Sequence, residues 1–200
     1  MPLRRIIDQA LPVVLFAIAA SSMAQTNVAL RDELLTLREL DQSGRMLMEE
    51  TMRQHGHNSP EMRAVWDAQS QIDAKNLIRL REIISEFGWP GQSLVGRDGS
   101  IAAFLILQHA DHETQVEYLP IVRVAVEAGE LARSAFAMFQ DRILVTEGKP
   151  QVYGTQLYRN DTTGNLELFP IEDEANVDAR RMEIGMIPLA EYVKLVRGDE

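Results

Sequence analysis

The first half of the sequence carries apolar residues at helical spacing over two long stretches, with a short polar break between them. The first stretch predicts an amphipathic helix from Val28 to about Gln54, in which Gly44 is a candidate interruption. The second predicts a helix from Pro60 to Phe87, because Ser59 is a good N-cap and proline suits the first helical position. Two long helices joined by a short loop predict an antiparallel helical hairpin.

The middle of the chain carries a strongly apolar segment between two capping signals. We expect a loop from Gly91 to Gly99, then a short buried helix over Ile101–Leu107 that begins at Ser100. Asp111 is placed to cap the next helix, which Pro120 either kinks or divides. A further amphipathic helix is indicated by Ala132, Phe136, Phe139 and Ile143.

The last third begins with short aromatic and β-branched runs on either side of a polar, turn-rich link. Residues 151–158 and 166–169 therefore predict a β-hairpin at about residues 150–170. Strand alternation would place Gln151, Tyr153 and Thr155 on one polar face. Helices are expected again around residues 177–184 and from Pro188 to about Val196.

The N-terminal 24 residues have the pattern of a secretory signal. Arg4 and Arg5 precede an apolar run, and Ser22-Met23-Ala24 offers small residues for cleavage after Ala24. The apolar run is about ten residues long, against the roughly 20 that a membrane-spanning helix needs. We therefore expect an exported protein, periplasmic or secreted, with no permanent membrane anchor after cleavage; an uncleaved anchor or an ordinary first helix is the alternative.

The expected architecture is a mainly α, single helical domain with a long N-terminal helical hairpin and a small two-stranded β-hairpin. It divides into a signal peptide at 1–24, a helix and loop at 25–59, and a helical domain with the β-hairpin at 60–200. The chain of 200 residues has no cysteine, so packing must stabilise it without disulfides. Its net charge of -10, with scattered basic residues, argues against nucleic acid as a partner.

His109 is the candidate catalytic base, because it follows an apolar helix and lies beside Gln108 and Asp111. A structural alternative exists for each residue: a helix dipole stabilises a C-terminal histidine, and Asp111 is more simply a cap. His109, Asp111 and His112 are close in sequence and could be metal ligands. The helix break between them does not define the directions of their side chains, however, and a metal site needs well-aimed ligands. We predict neither a metal nor a cofactor.

Arginine pairs and a polar strand supply the candidate ligand-binding residues. Arg180 and Arg181 suit a carboxylate or phosphate, although acidic neighbours on the same helix are alternative partners. Asp141 and Arg142 lie in an apolar helix, where ion pairing is the default interpretation. The predicted strand adds further candidates, of which Tyr153 and Gln156 would orient a substrate and Thr155 would bind it.

The sequence has no nucleophile elbow, P-loop, dinucleotide fingerprint, zinc-protease helix or EF-hand loop. It does resemble a bacterial family defined by a domain of unknown function. The resemblance spans about residues 60–197 and implies no mechanism. The elements that carry it are Trp89-Pro90, Gln108-His109-Ala110-Asp111, Asp141-Arg142, residues 151–156 (QVYGTQ), Pro170-Ile171, Ala179-Arg180-Arg181 with Gly185, and residues 188–192 (PLAEY).

We predict one polar cleft that binds a small anionic ligand, formed by His109, Arg142, the strand from Tyr153 to Gln156 and the Arg180-Arg181 pair. Gln108 and Asp111 are further ligand-binding candidates. In an enzyme of this kind, hydrolysis or group transfer would use His109 as base while Arg181 holds the anion. The alternative is a non-enzymatic interaction module of the cell envelope. In that case the helices over 28–87 pack on a protein partner, and the polar residues form a structural network.

Overall fold

The computed structural model describes residues 27–160 and 164–198, so the expected signal at 1–24 lies outside the described residues. The predicted mainly α fold with a two-stranded β-hairpin is confirmed. Its elements are α1 (Val28–His55), α2 (Pro60–Phe87), α3 (Gln92–Gln108), α4 (His112–Glu127), α5 (Arg133–Thr146), β1 (Leu157–Arg159), β2 (Leu166–Leu168), a short 3-10 helix (Glu174–Asn176), α6 (Val177–Glu183) and α7 (Leu189–Arg197).

Helices α1 and α2 form the predicted hairpin. The Ser59 side chain accepts a hydrogen bond from the Met62 N–H at 3.0 Å and caps α2 as expected. Cross-contacts run in opposite directions along the two helices: Arg79 pairs with Glu33, whereas Asp73 pairs with Arg45 farther along α1. This order shows that the helices are antiparallel.

Gly44 does not interrupt α1, which is helical throughout. The glycine instead leaves room for the end of the Gln69 side chain from α2, because a Cβ atom at this position would overlap the Gln69 side-chain oxygen. The local cost of glycine in a helix is therefore offset by a tertiary contact.

The hydrophobic core lies where the hairpin meets the central helices. Its fully buried members include Leu34, Leu80, Ile83, Val95, Leu107, Val122 and Phe139. Helix α3 packs along α1, and α4 packs against α5. Most of the apolar segment 101–107 is buried at the centre of this arrangement, as the sequence predicts.

The expectation of a loop from Gly91 to Gly99 is wrong. Residues 92–99 are not a loop, because α3 begins at Gln92 and contains only a local break at Gly96 (φ 71°, ψ 168°). Ser100 therefore lies inside the helix, where its hydroxyl donates to the Glu130 carbonyl at 3.0 Å. Of the two alternatives for Pro120, division of the helix is excluded, because α4 continues through the proline.

The β-hairpin is shorter than predicted. β1 pairs with β2 in antiparallel register, with Leu157 opposite Leu168. Residues 151–156 are not a strand, because only Gln151 forms an isolated bridge, to Ile171. The predicted alternation of faces over this segment is therefore wrong.

None of the described helices combines the length and apolar character needed to cross a membrane.

Candidate functional site

His109 is held directly after the end of α3 and faces the α1–α2 hairpin. Its Nδ1 lies 2.9 Å from Oδ1 of Asp41 and 3.0 Å from Nε of Arg45, both on α1. The His109 side chain is 16% exposed and the Asp41 side chain 1% exposed. The imidazole is therefore oriented by a buried carboxylate at the edge of solvent.

Arg45 joins three helical segments at this point. Its Nη2 lies 3.0 Å from Oδ1 of Asp41 and 3.0 and 3.1 Å from the two carboxylate oxygens of Asp73 on α2. Gln69, one turn before Asp73, donates to Asp73 Oδ1 at 2.7 Å. We call Asp41, Arg45, Asp73 and His109 the Asp41–His109 cluster.

The contacts around Nδ1 decide which imidazole nitrogen carries the proton. A bare Nδ1 would place its lone pair against the Asp41 carboxylate oxygen at 2.9 Å, where two acceptors repel. The Arg45 Nε–H also points at Nδ1, at 3.0 Å, but it has Asp41 Oδ1 at 3.2 Å as a second acceptor, whereas the Asp41 oxygen can only accept. We therefore assign the proton to Nδ1, which leaves Nε2 as the basic nitrogen.

Asp41 is ionised throughout the neutral range. Burial acts to raise its pKa, but the hydrogen bonds from His109 and Arg45 and their charges outweigh burial and lower the pKa from 3.8 to about 2. Its second oxygen accepts a hydrogen bond from Gln42 Nε2 at 2.6 Å. The carboxylate is thus a fixed acceptor for the His109 N–H.

Arg142 on α5 is a second cation near this cluster. Burial is the main cause that lowers its pKa, and the positive charge of Arg45 is the second. Within the described residues its guanidinium has no hydrogen bond or ion pair, and Nε is buried. Gln108 is also buried and its side-chain oxygen has no partner there.

Asp141, the residue before Arg142, belongs to a different network. It is fully buried and accepts hydrogen bonds from the backbone N–H groups of Val152, Tyr153 and Thr155, at 2.7 to 3.1 Å. The Thr155 hydroxyl also donates to it at 3.0 Å. The default expectation of an ion pair at Asp141 is wrong, because backbone donors compensate the carboxylate. The same bonds explain why this segment does not pair as a strand.

The Gln151 side chain also holds the conformation of residues 151–156. Its side-chain N–H group donates to the carbonyls of Gln156 and Phe169, at 3.0 and 2.9 Å, and its oxygen accepts from the Gln156 N–H at 2.8 Å. The Gln156 side chain reaches the Thr155 hydroxyl at 3.0 Å. Both glutamines therefore serve the conformation of the segment.

The paired arginines bind the same segment through its carbonyls. Arg180 donates to the Val152 carbonyl at 3.0 Å. Arg181 is fully buried and donates to the carbonyls of Tyr153 at 2.6 Å and Ile187 at 2.7 Å. Its guanidinium also lies 4.8 Å from the centre of the Tyr192 ring, a cation–π contact. Asp141, Arg180 and Arg181 together form what we call the Tyr153 support network.

The predicted site residues are thus divided between two networks. His109 belongs to the Asp41–His109 cluster, and Arg142 lies within electrostatic range of that cluster. The remaining candidates of the predicted cleft belong to the Tyr153 support network or to the segment that it holds: Tyr153, Thr155, Gln156, Arg180 and Arg181. No hydrogen bond or ion pair between described residues connects these five to His109. Asp111 accepts a hydrogen bond from the Thr114 N–H at 2.8 Å. This is the geometry of an N-cap for α4, which is the alternative interpretation of Asp111.

Sequence reasoning missed the acidic and basic partners of His109. Asp41 follows Leu34 and Leu37 at helical spacing, so it continues the buried stripe of α1 where an apolar residue is expected. Arg45 comes one turn later and pairs with it. A charged pair on an apolar stripe is the signal that marks these residues, since unpaired charges are rarely buried.

In the part of the chain that the structure describes, no three His, Asp or Glu side chains are grouped closely enough to hold a metal ion.

Comparison of the chain with curated proteins and with solved structures gives no significant match. A family profile does match, over residues 28–199, and so includes α1, which the resemblance over residues 60–197 left out. The chain belongs to DUF6624, a family of unknown function.

Proposed function

We propose that this chain is an exported protein that binds a small anionic ligand beside His109 and uses Nε2 of that residue as a general base in hydrolysis or group transfer. The observation that carries the proposal is the buried Asp41 carboxylate against Nδ1, which leaves Nε2 without a hydrogen bond among the described residues. The pattern of residues 1–24 supports export.

The Asp41–His109 pair suits proton transfer for a physical reason. A carboxylate that accepts the Nδ1 proton fixes the tautomer and the ring orientation, and it stabilises the imidazolium formed when Nε2 takes a proton. The partial exposure of His109 gives water or a substrate hydroxyl access to the base. The chain has no cysteine, so the attacking group is an oxygen or nitrogen nucleophile.

Arg142 supports an anionic ligand. Arg45 is already compensated by Asp41 and Asp73, whereas Arg142 has no carboxylate within ion-pair distance among the described residues. A partly buried guanidinium without a counterion favours binding of an anion, because such a charge has lost solvation without gaining a partner.

The binding step is tested with inorganic phosphate and ¹⁵N NMR of the histidine side chains. We expect phosphate to perturb the His109 resonances of the wild type and to have little effect on them in Arg142→Gln. His55 serves as the internal control, because it is exposed at the end of α1. Unperturbed His109 resonances at saturating phosphate would refute an anion site at this place.

The catalytic step is tested by hydrolysis of p-nitrophenyl acetate and p-nitrophenyl phosphate. Loss of a general base costs about 10²- to 10⁴-fold in rate, so we expect that loss in His109→Gln and no change in His55→Gln. Equal rates in the wild type and His109→Gln would remove His109 as the base.

The interaction module is the second candidate, and exposed apolar side chains on the hairpin favour it. Met46 is 71% exposed, Leu47 53% and Ile78 61%. In this interpretation the Asp41–His109 cluster only fixes α1 on α2 and α3. It predicts that phosphate leaves His109 unperturbed, and that His109→Gln loses stability without losing any ester hydrolysis.

A further inference from the structure

A cavity of about 430 Å³ opens between α4, α5 and the segment that contains Tyr153. Arg123 and Glu127 line it from α4, Phe136 and Gln140 from α5, and Tyr153 from the neighbouring segment. Its volume is in the range of small-molecule sites. It is separate from the residues of the Asp41–His109 cluster.

Two arginine side chains that line the cavity can donate hydrogen bonds to an anion. Arg123 and Arg133, both lining the cavity, make no hydrogen bond or ion pair in the described part of the chain. The Arg123 guanidinium lies 5.4 Å from the centre of the Phe136 ring, which holds it at the cavity wall and leaves its N–H groups available. With Glu127 as the acidic lining residue, the lining has an excess of one positive charge.

The remaining lining suits an apolar body. Phe136, Val126 and Ile184 supply apolar surface, while the Tyr153 hydroxyl and the Gln140 amide supply neutral polar groups. The Tyr153 hydroxyl has no hydrogen-bond partner among the described residues, and burial raises the pKa of Tyr153, so the hydroxyl keeps its proton as a donor.

The buried charges behind the cavity hold this wall in place. Asp141 accepts from the Tyr153 N–H, and Arg181 donates to the Tyr153 carbonyl, so two fully buried charged groups fix one main-chain residue. Burying charged groups is costly, and here both are used to fix residues 152–155. A wall fixed before binding reduces the entropy that a ligand must overcome.

We propose that this cavity, the Tyr153 cavity, is a second binding site that takes a small monoanion with an apolar or aromatic body, a carboxylate being the simplest. The anionic group lies between Arg123 and Arg133, where guanidinium groups bind carboxylates through paired hydrogen bonds. The apolar body lies against Phe136, and the Tyr153 hydroxyl donates to a carboxylate oxygen of the ligand.

The test uses benzoate as the probe and benzamide as its neutral control of nearly the same shape. Binding to the full chain is measured by saturation-transfer NMR and titration. We expect benzoate to bind and benzamide to bind much more weakly. We expect Arg123→Gln and Arg133→Gln each to weaken benzoate binding about tenfold, the factor expected for losing one hydrogen bond to a charged group.

Three variants test whether benzoate occupies the Tyr153 cavity. Tyr153→Phe keeps the ring and should weaken benzoate binding about tenfold, as loss of one hydrogen bond to a charged group does. Arg53→Gln removes an equal charge from an exposed position outside the cavity and should bind as the wild type does. His109→Gln should also bind benzoate normally, which keeps the result independent of the proposed function.

Three results would overturn the proposal. Absence of benzoate binding removes the site, and equal binding of benzoate and benzamide removes its preference for an anion. Benzoate binding that is unchanged in both Arg123→Gln and Arg133→Gln places the ligand elsewhere.

Discussion

Asp141→Asn is the substitution that most directly tests how residues 152–155, the Tyr153 segment, are fixed by hydrogen bonds. The carboxylate is fully buried, and its two oxygens accept from three backbone N–H groups and from the Thr155 hydroxyl. Asparagine has nearly the same shape, but it has one carbonyl oxygen and an N–H₂ donor. In either orientation of the asparagine amide, its N–H₂ group therefore faces at least one backbone N–H group.

The cost follows from this mismatch. If the asparagine oxygen keeps the bonds from Val152 and Tyr153, the Thr155 N–H loses its acceptor and stays buried. A lost hydrogen bond to a charged group contributes about 1.5–3 kcal/mol, and an unsatisfied buried N–H costs about 1–3 kcal/mol, effects that partly overlap. We therefore expect a loss of about 3 kcal/mol in the free energy of unfolding, or a fall of roughly 6–12 °C in the thermal midpoint.

Urea unfolding followed by circular dichroism measures the free energy, and hydrogen exchange locates the effect. We expect the amides of Val152, Tyr153 and Thr155 to lose protection while α1 and α2 keep theirs. Asp178→Asn is the matched control, because Asp178 is exposed and accepts a single backbone hydrogen bond, from Leu189 N–H at 2.7 Å. That control should change stability by no more than about 0.5 kcal/mol. A loss below about 1 kcal/mol in Asp141→Asn, with protection retained, would show that the carboxylate does not hold this segment.

Three further predictions concern the hairpin and the N-terminus. Because its pKa is lowered from 3.8 to about 2, ionised Asp41 stabilises the fold above pH 3.8, on the order of 2 kcal/mol. This contribution should be lost as the pH falls toward 2, so acid unfolding of Asp41→Asn should lack that part of the pH dependence. Gly44→Ala should destabilise the chain by about 1–3 kcal/mol despite the better helix propensity of alanine, because its Cβ displaces the end of the buried Gln69 side chain from its hydrogen bond to Asp73; urea unfolding checks this. If residues 1–24 are a cleaved signal as proposed, the mature chain should begin at Gln25, as measured by mass spectrometry of the intact chain, and an N-terminus at Met1 would contradict the predicted signal.

The helices were predictable because their boundaries are set by local signals. Ser59 with Pro60 marks the start of α2, and Asp111 marks the start of α4, each within a few residues of the helix that it caps. The error at residues 92–99 has the same origin. Two glycines and two charged residues there resemble a loop, but α3 packs along α1 and most of the segment is helical, with only Gly96 outside helical geometry.

The site was less predictable because its contacts join residues far apart in the chain. His109 was recognisable from the apolar helix before it, but Asp41 is 68 residues away and no local pattern connects the two. The prediction of a strand at residues 151–156 was wrong for a related reason. Their composition favours a strand, yet Asp141 captures their amide groups from a neighbouring helix, and tertiary contacts override β-propensity.

Asp141 and Arg142 show how one helix contributes to two sites. Successive residues of a helix point about 100° apart, so neighbours in sequence need not face the same surroundings. Asp141 faces the Tyr153 segment and binds its amides, whereas Arg142 lies within electrostatic range of Arg45. The two side chains share no hydrogen-bond partner among the described residues, although their opposite charges in adjacent positions suggest an ion pair in the sequence. The pair therefore makes two separate contributions, an anion that orders a protein segment and a cation that has no counterion among the described residues.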